Sequence, residues 1–135
     1  MKQVSLILSA ALGLYAGGWE RSGETVIDTE HARQWQDSAP AKEREGVWRD
    51  ADKYCKSLDL EGFYDWRLPT REELQTLLAA EKAGRVTLRY ETGSVYWSAD
   101  ICRIPINAWA VYWGNGHTFE SDKCDEAHVR CVRDR

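Results

Sequence analysis

The sequence predicts an α+β chain in which two helices pack on a small antiparallel sheet, and three observations lead there. Apolar residues recur at spacings of three and four over residues 47–58 and again after Thr70, the repeat of one helical face. Three later stretches alternate instead: Val95 with Trp97, then Trp109, Val111 and Trp113, then Val129 with Cys131. Between the two helical stretches stands Asp65-Trp66-Arg67-Leu68-Pro69-Thr70, followed by Glu73. Pro69 drives Leu68 toward extended backbone, and Thr70 with Glu73 has the spacing of a reciprocal helix cap. A two-layer packing buries the apolar face of each helix against the sheet.

The elements follow in order. Val26 and Ile27 lead into a polar turn around residues 28–31 and then Trp35, an N-terminal hairpin. Residues 36–46 are polar and contain Pro40, which predicts a surface loop. Val47, Ala51, Cys55 and Leu58 make the face of the first helix, broadened by Trp48 and Tyr54. Gly62, Phe63 and Tyr64 return the chain to the corner, where Trp66 and Leu68 share one side of an extended segment and Arg67 faces the other, needing solvent or an acid. Leu74, Leu77 and Leu78 make the second helical face, which runs out near Gly84. Asn115-Gly116 then marks a hairpin turn after Trp113. Trp97, Trp109 and Trp113 are assigned to packing by their alternation.

Residues 1–18 read as a secretory signal. Lys2 gives a positive start, residues 4–16 are apolar and small, and cuts after Ala16 or after Gly18 are both open. The apolar stretch is shorter than the roughly 20 residues a spanning helix needs. Residues 19–135 then form one domain, with no repeat of solenoid period and only three prolines in the chain. The net charge is -4, and losing Lys2 makes the remainder more acidic. Such a surface disfavours nucleic acid and anionic membranes. Cys55, Cys102, Cys124 and Cys131 all lie in the exported part, where an oxidising compartment pairs them. Three pairings are open from spacing alone, and the absence of any Cys-x-x-Cys spacing argues against zinc.

The corner, together with Trp48, Tyr54-Cys55, Leu58, Gly62, Tyr96-Trp97-Ser98, Ala108-Trp109 and Val129-Arg130-Cys131-Val132-Arg133, resembles the C-terminal domain of the Legionella collagen-like adhesin. The resemblance runs from about Thr25 to Arg133. It implies a C-type lectin-like fold with a long loop region, and it implies two disulfides, Cys55 with Cys131 and Cys102 with Cys124. It also implies binding of sulfated polymers, for which Arg103, Lys123, Arg130, Arg133 and Arg135 are the available cations, although the acidic total weighs against such a patch. The chain has no collagen repeat, so a stalk-driven trimer does not carry over.

Calcium needs six to eight converging oxygens. Pro105 is flanked by Ile104 and Ile106, which cannot ligate, and Trp113-Gly114-Asn115 lacks a closing acid. Asp122, Asp125 and Glu126 near Cys124 read as a solvated loop, so no metal and no cofactor is expected. Catalysis has no recognisable signature either: His31, His117 and His128 stand without an elbow, phosphate loop or zinc-protease pattern. Binding suits the residues better. Arg103, Asn107, Tyr112, Asn115, His117 and Lys123 offer adaptable hydrogen-bonding groups in one region of turns and short strands. Cys55, Cys102, Cys124, Cys131, Trp66, Leu68, Pro69, Thr70 and Glu73 are read as structural. The expectation is a periplasmic or extracellular, non-catalytic module recognising a glycan or an envelope protein, and the alternative is a structural subunit of an envelope assembly.

Overall fold

A computed structural model describes residues 18–135, so the signal reading falls outside the described residues apart from Gly18. Strands β1 (Trp19–Ser22), β2 (Thr25–Asp28) and β3 (Arg33–Gln36) form an antiparallel meander. Strand β9 (Val132–Asp134), at the end of the chain, pairs beside β3. The expected N-terminal hairpin is β2 and β3, joined at Val26 opposite Trp35, both buried.

A second sheet runs in the order β4 (Glu45–Gly46), β8 (Ala127–His128), β5 (Val95–Ile101), β6 (Asn107–Tyr112), β7 (Thr118–Asp122). Only β5 and β8 pair in parallel. The sequence led to one sheet, and the described residues form two, because the segment after Glu126 serves both. Ala127 and His128 join the second sheet, Val132 to Asp134 join the first, and residues 127–132 pass between them fully buried. That is why Val129 and Cys131 do not alternate with exposed neighbours: Arg130 between them is also wholly buried.

Helix α1 (Pro40–Glu43) is a single turn, α2 (Trp48–Lys56) matches the first helical face, and α3 (Arg71–Lys82) matches the second. Residues 36–46 are therefore a surface loop only in part: residues 42–45 are exposed, but the start of the segment is internal. Gln36, Asp37 and Ser38 are buried, and Ala41 packs inside. The buried Asp37 carboxylate explains this: it accepts the backbone N–H groups of Arg89 (2.8 Å) and Tyr90 (2.9 Å), pairs with Arg21, and lies 3.3 Å from Arg130. A polar sequence here signals an internal ion network, because buried charges persist where they are paired.

Two hydrophobic cores lie on the two faces of the second sheet. Tyr96 and Val111 face each other across β5 and β6 and join Leu74, Leu77 and Leu78 of α3, together with Val26 and Trp35. Trp97 and Ala110, one residue along, point to the other core, with Cys55 of α2, Trp66 and Leu68. The corner holds these layers together. Glu73 N–H donates to Thr70 Oγ1 (3.1 Å) and Thr70 N–H donates to Glu73 Oε1 (2.9 Å), completing the reciprocal cap. Arg67 finds its acids in Glu73 and Asp134, and its backbone exchanges two 2.9 Å hydrogen bonds with Val132.

Cys55 and Cys131 are disulfide-bonded, tying α2 to the buried final segment. Cys102 and Cys124 are not bonded to each other in this structure; Cys102 is buried and Cys124 exposed. The C-type lectin-like class thus stands with one of the two implied bridges formed.

Candidate functional site

Trp109 and Val111 lie on one face of β6, and Trp113, just past its end, continues their alternation. They do not share one fate. Val111 and Trp113 are buried in the core under α3, and Trp113 Nε1–H donates to Glu81 of that helix (2.9 Å). Trp109 is only half-buried, because it lies at the N-terminal end of α3, where the helix body no longer covers the sheet. Trp97 and Trp113 are thus buried in the two cores, whereas Trp109, assigned to packing by the same alternation, lines the surface groove.

The reciprocal cap fixes where α3 begins, so Arg71 is its first residue and the first turn borders the uncovered indole. Arg71 Cζ lies 3.9 Å from the centre of the Trp109 ring, a cation–π contact. A register shift in β5 between Trp97 and Ile101 re-aims the strand, and Asp100 Oδ2 accepts the Arg71 backbone N–H (3.0 Å). Ser98 anchors the shift from beneath, its hydroxyl donating to the Trp109 carbonyl (2.6 Å) and accepting from Asp100 N–H (3.1 Å). The Asp100 carboxylate lies 3.7 Å from Arg71 Nε, and both side chains are partly exposed.

These residues line an open groove of about 510 Å³, completed by Thr70, Glu72, Gln75 and Ile101. Glu120 on β7 stands opposite Trp109 in register and adds a further acid to the same sheet face. Gln75 also borders a neighbouring hollow of about 240 Å³ that holds Leu78, Ala79, Lys82 and Asn115. The two hollows thus adjoin along the exposed side of α3.

The six binding residues read from the sequence separate into two groups at opposite ends of β6. Arg103, Asn107 and Lys123 stand at its start; Arg103 is exposed, and Lys123 Nζ lies 4.6 Å from the Trp48 ring centre. Tyr112, Asn115 and His117 stand at its far end, about 17 Å away for a six-residue strand. There Gly116 takes a positive φ of 79°, its N–H donates to the Tyr112 carbonyl (2.7 Å), and Asn115 Oδ1 accepts His117 N–H (2.9 Å). Asn107 and Asn115 are closest to the groove system: Asn107 shares the Trp109 face two residues away, and Asn115 lines the second hollow. Arg71, Glu72, Gln75 and Asp100 escaped the sequence reading because nothing in their spacing says which sheet residue the helix leaves uncovered.

The remaining polar candidates serve local structure. His31 is held by the buried Asp28 (2.7 Å), and His128 is buried 3.9 Å from Glu45 and packed beside Tyr96. Asp122 accepts Cys124 N–H (2.8 Å) and Asp125 accepts the Ser121 hydroxyl (3.1 Å). Among the described residues no group of three or more His, Cys, Asp or Glu converges as a metal site. Arg130 is fully buried, which removes it from any basic surface patch.

Known proteins agree with this architecture. The structure is similar to botrocetin with a TM-score of 0.52 at 12% identity, over 87% of this chain and 97% of that one, a likeness in fold that supports the C-type lectin-like class. In sequence the chain is 40% identical over 90 residues, 64% of its length, to the major fimbrium tip subunit FimD of Porphyromonas gingivalis. The chain corresponds to 11% of that relative's length. The model of the Lcl C-terminal domain matches residues 24–133, and the chain belongs to that family.

Proposed function

We propose that this chain is an exported, non-catalytic recognition module of the bacterial envelope that binds a glycan along the exposed side of α3. The observation that carries the reading is Trp109, a half-buried indole in a polar-edged groove. Sugar rings present apolar C–H faces and polar edges, so an aromatic face beside hydroxyl, amide and carboxylate groups satisfies both. Thr70, Glu72 and Gln75 supply those groups, and the adjoining hollow at Asn115 extends the surface for a chain longer than one ring. Export rests on residues 1–18 and on the disulfide, which belongs to an oxidising compartment. Among the described residues no helix is long and apolar enough to cross a membrane. The test is a glycan array read with the wild-type chain and Trp109→Ala; a sugar motif retained by the first and lost by the second supports the reading.

A second reading, a structural or accessory subunit of an envelope assembly, draws on the relative named as a fimbrium tip subunit. Exposed Tyr64, Ile104 and Ile106 provide apolar surface for a fixed protein neighbour. A stable, stoichiometric protein recovered from envelope extract, with an empty glycan array, would favour it.

A further inference from the structure

We infer that the guest of the Trp109 groove carries a positive charge, as an amino sugar does, and that Arg71 occupies its seat in the free protein. This rests on the groove reading above and names the ligand class. The lining counts one cation, Arg71, against Glu72 and Asp100, with Glu120 nearby on the same sheet face. A sulfated or carboxylated sugar would enter against that balance, whereas an ammonium group would enter with it.

The seat itself is visible. A cation already lies 3.9 Å from the indole centre, and the acid beside it is Asp100. Arg71 is held loosely: its side chain is 39% exposed, and its contact with Asp100 is 3.7 Å, long for a charged hydrogen bond. Asp100 is held firmly by comparison, because its Oδ2 caps the α3 backbone at 3.0 Å and stays in place when the arginine side chain leaves. An incoming ammonium would take over the indole face and the Asp100 carboxylate, while its sugar ring would meet Gln75 and Thr70. Arg71 thus competes with the ligand, and its occupancy lowers apparent affinity by the fraction of time it sits on Trp109.

The sign of one substitution follows. Titration of the wild-type chain, Arg71→Ala, Trp109→Ala and Arg49→Ala with glucosamine oligomers and with their N-acetylated counterparts, at a pH where the amine is protonated, tests it. The expected result is saturable binding of glucosamine oligomers, weaker binding of the acetylated forms, and loss in Trp109→Ala. Arg71→Ala should tighten binding by roughly three- to tenfold, the scale of an exposed cation–π contact with a weak ion pair. Arg49→Ala, which removes the same charge from the exposed side of α2, should leave affinity unchanged. Equal binding of acetylated oligomers, weaker binding by Arg71→Ala, or preference for an arginine-rich peptide or heparin would overturn the charged-sugar assignment while Trp109 dependence kept the groove. Binding of no sugar, with Trp109→Ala indistinguishable from wild type, would overturn both.

Discussion

Arg67 holds Glu73 through two parallel hydrogen bonds of 2.8 and 2.9 Å, and the same guanidinium reaches Asp134 at 3.0 Å. One side chain thereby joins the corner, the start of α3 and the last strand. Burial pushes the Glu73 carboxyl up, but the Arg67 hydrogen bonds and the Thr70 N–H outweigh it and hold the group below its ordinary 4.5. A depressed carboxylate stabilises the fold above its unfolded value and loses that contribution as pH falls through the folded one. Arg67→Ala should therefore cost about 1–2 kcal/mol at neutral pH, a modest figure because Arg67 is 34% exposed. Urea melts at neutral pH and at about pH 3 should show the gap between variant and wild type shrinking in acid.

Asp37 makes a stronger case in the same direction. Burial raises its carboxyl, yet the Arg89 and Tyr90 amides and the Arg21 and Arg130 guanidiniums bring it below the ordinary 3.8. Arg130 is wholly buried and donates to the Gln36 and Tyr90 carbonyls, so removing Asp37 strands a cation inside. Asp37→Ala should lose about 3–5 kcal/mol. Thermal melts of Asp37→Ala and Asp37→Asn check this; wild-type stability in either would show that the network is not supporting the segment at 85–94.

The cysteines make separable predictions. Cys55 and Cys131 are 76 residues apart, and the chain-entropy estimate for a loop of that size is about 4.5 kcal/mol. Reduction should lower the melting temperature markedly, and Cys55→Ala should reproduce the loss. Burial and the neighbouring Glu120 push the Cys102 thiol up, while Cys124 is exposed. Under native conditions Cys124 should therefore react quickly with a thiol reagent and Cys102 slowly. Failure to label either thiol, with a peptide linking the two in an unreduced digest, would establish the second bridge in the exported protein.

Trp66 separates stability from recognition. It is buried in the core beneath α2, and its Nε1–H donates to the Phe63 carbonyl (3.0 Å). Trp66→Ala should cost about 3–5 kcal/mol in a denaturant melt. At temperatures where the variant is folded, ligand affinity should match the wild type.

Much of this fold was legible because its signals are local. The Thr70 and Glu73 cap is a spacing of three, the α3 face is Leu74, Leu77 and Leu78, and Asn115-Gly116 announces the β6–β7 turn. What escaped depends on tertiary position. Residues 127–132 are buried because two sheets enclose them, and Asp37 is buried because Arg130 is, neither of which a polar string reveals. Trp109 shows the limit most sharply: its alternation with Val111 and Trp113 correctly gives the face, but the end of α3 decides that Trp109 alone stays open. The binding residues from Arg103 to Lys123 read as one region in sequence, and a strand about 17 Å long keeps them apart.

Recognition at the Trp109 groove makes glycan retention depend on that indole. The direct measurement is glycan retention by wild type, Trp109→Ala and His117→Ala, each verified as folded by its melting curve. Retention by wild type and His117→Ala, with loss of at least roughly tenfold in Trp109→Ala, is the predicted result. Full retention by Trp109→Ala with loss in His117→Ala would contradict it and move the site to the β6–β7 turn.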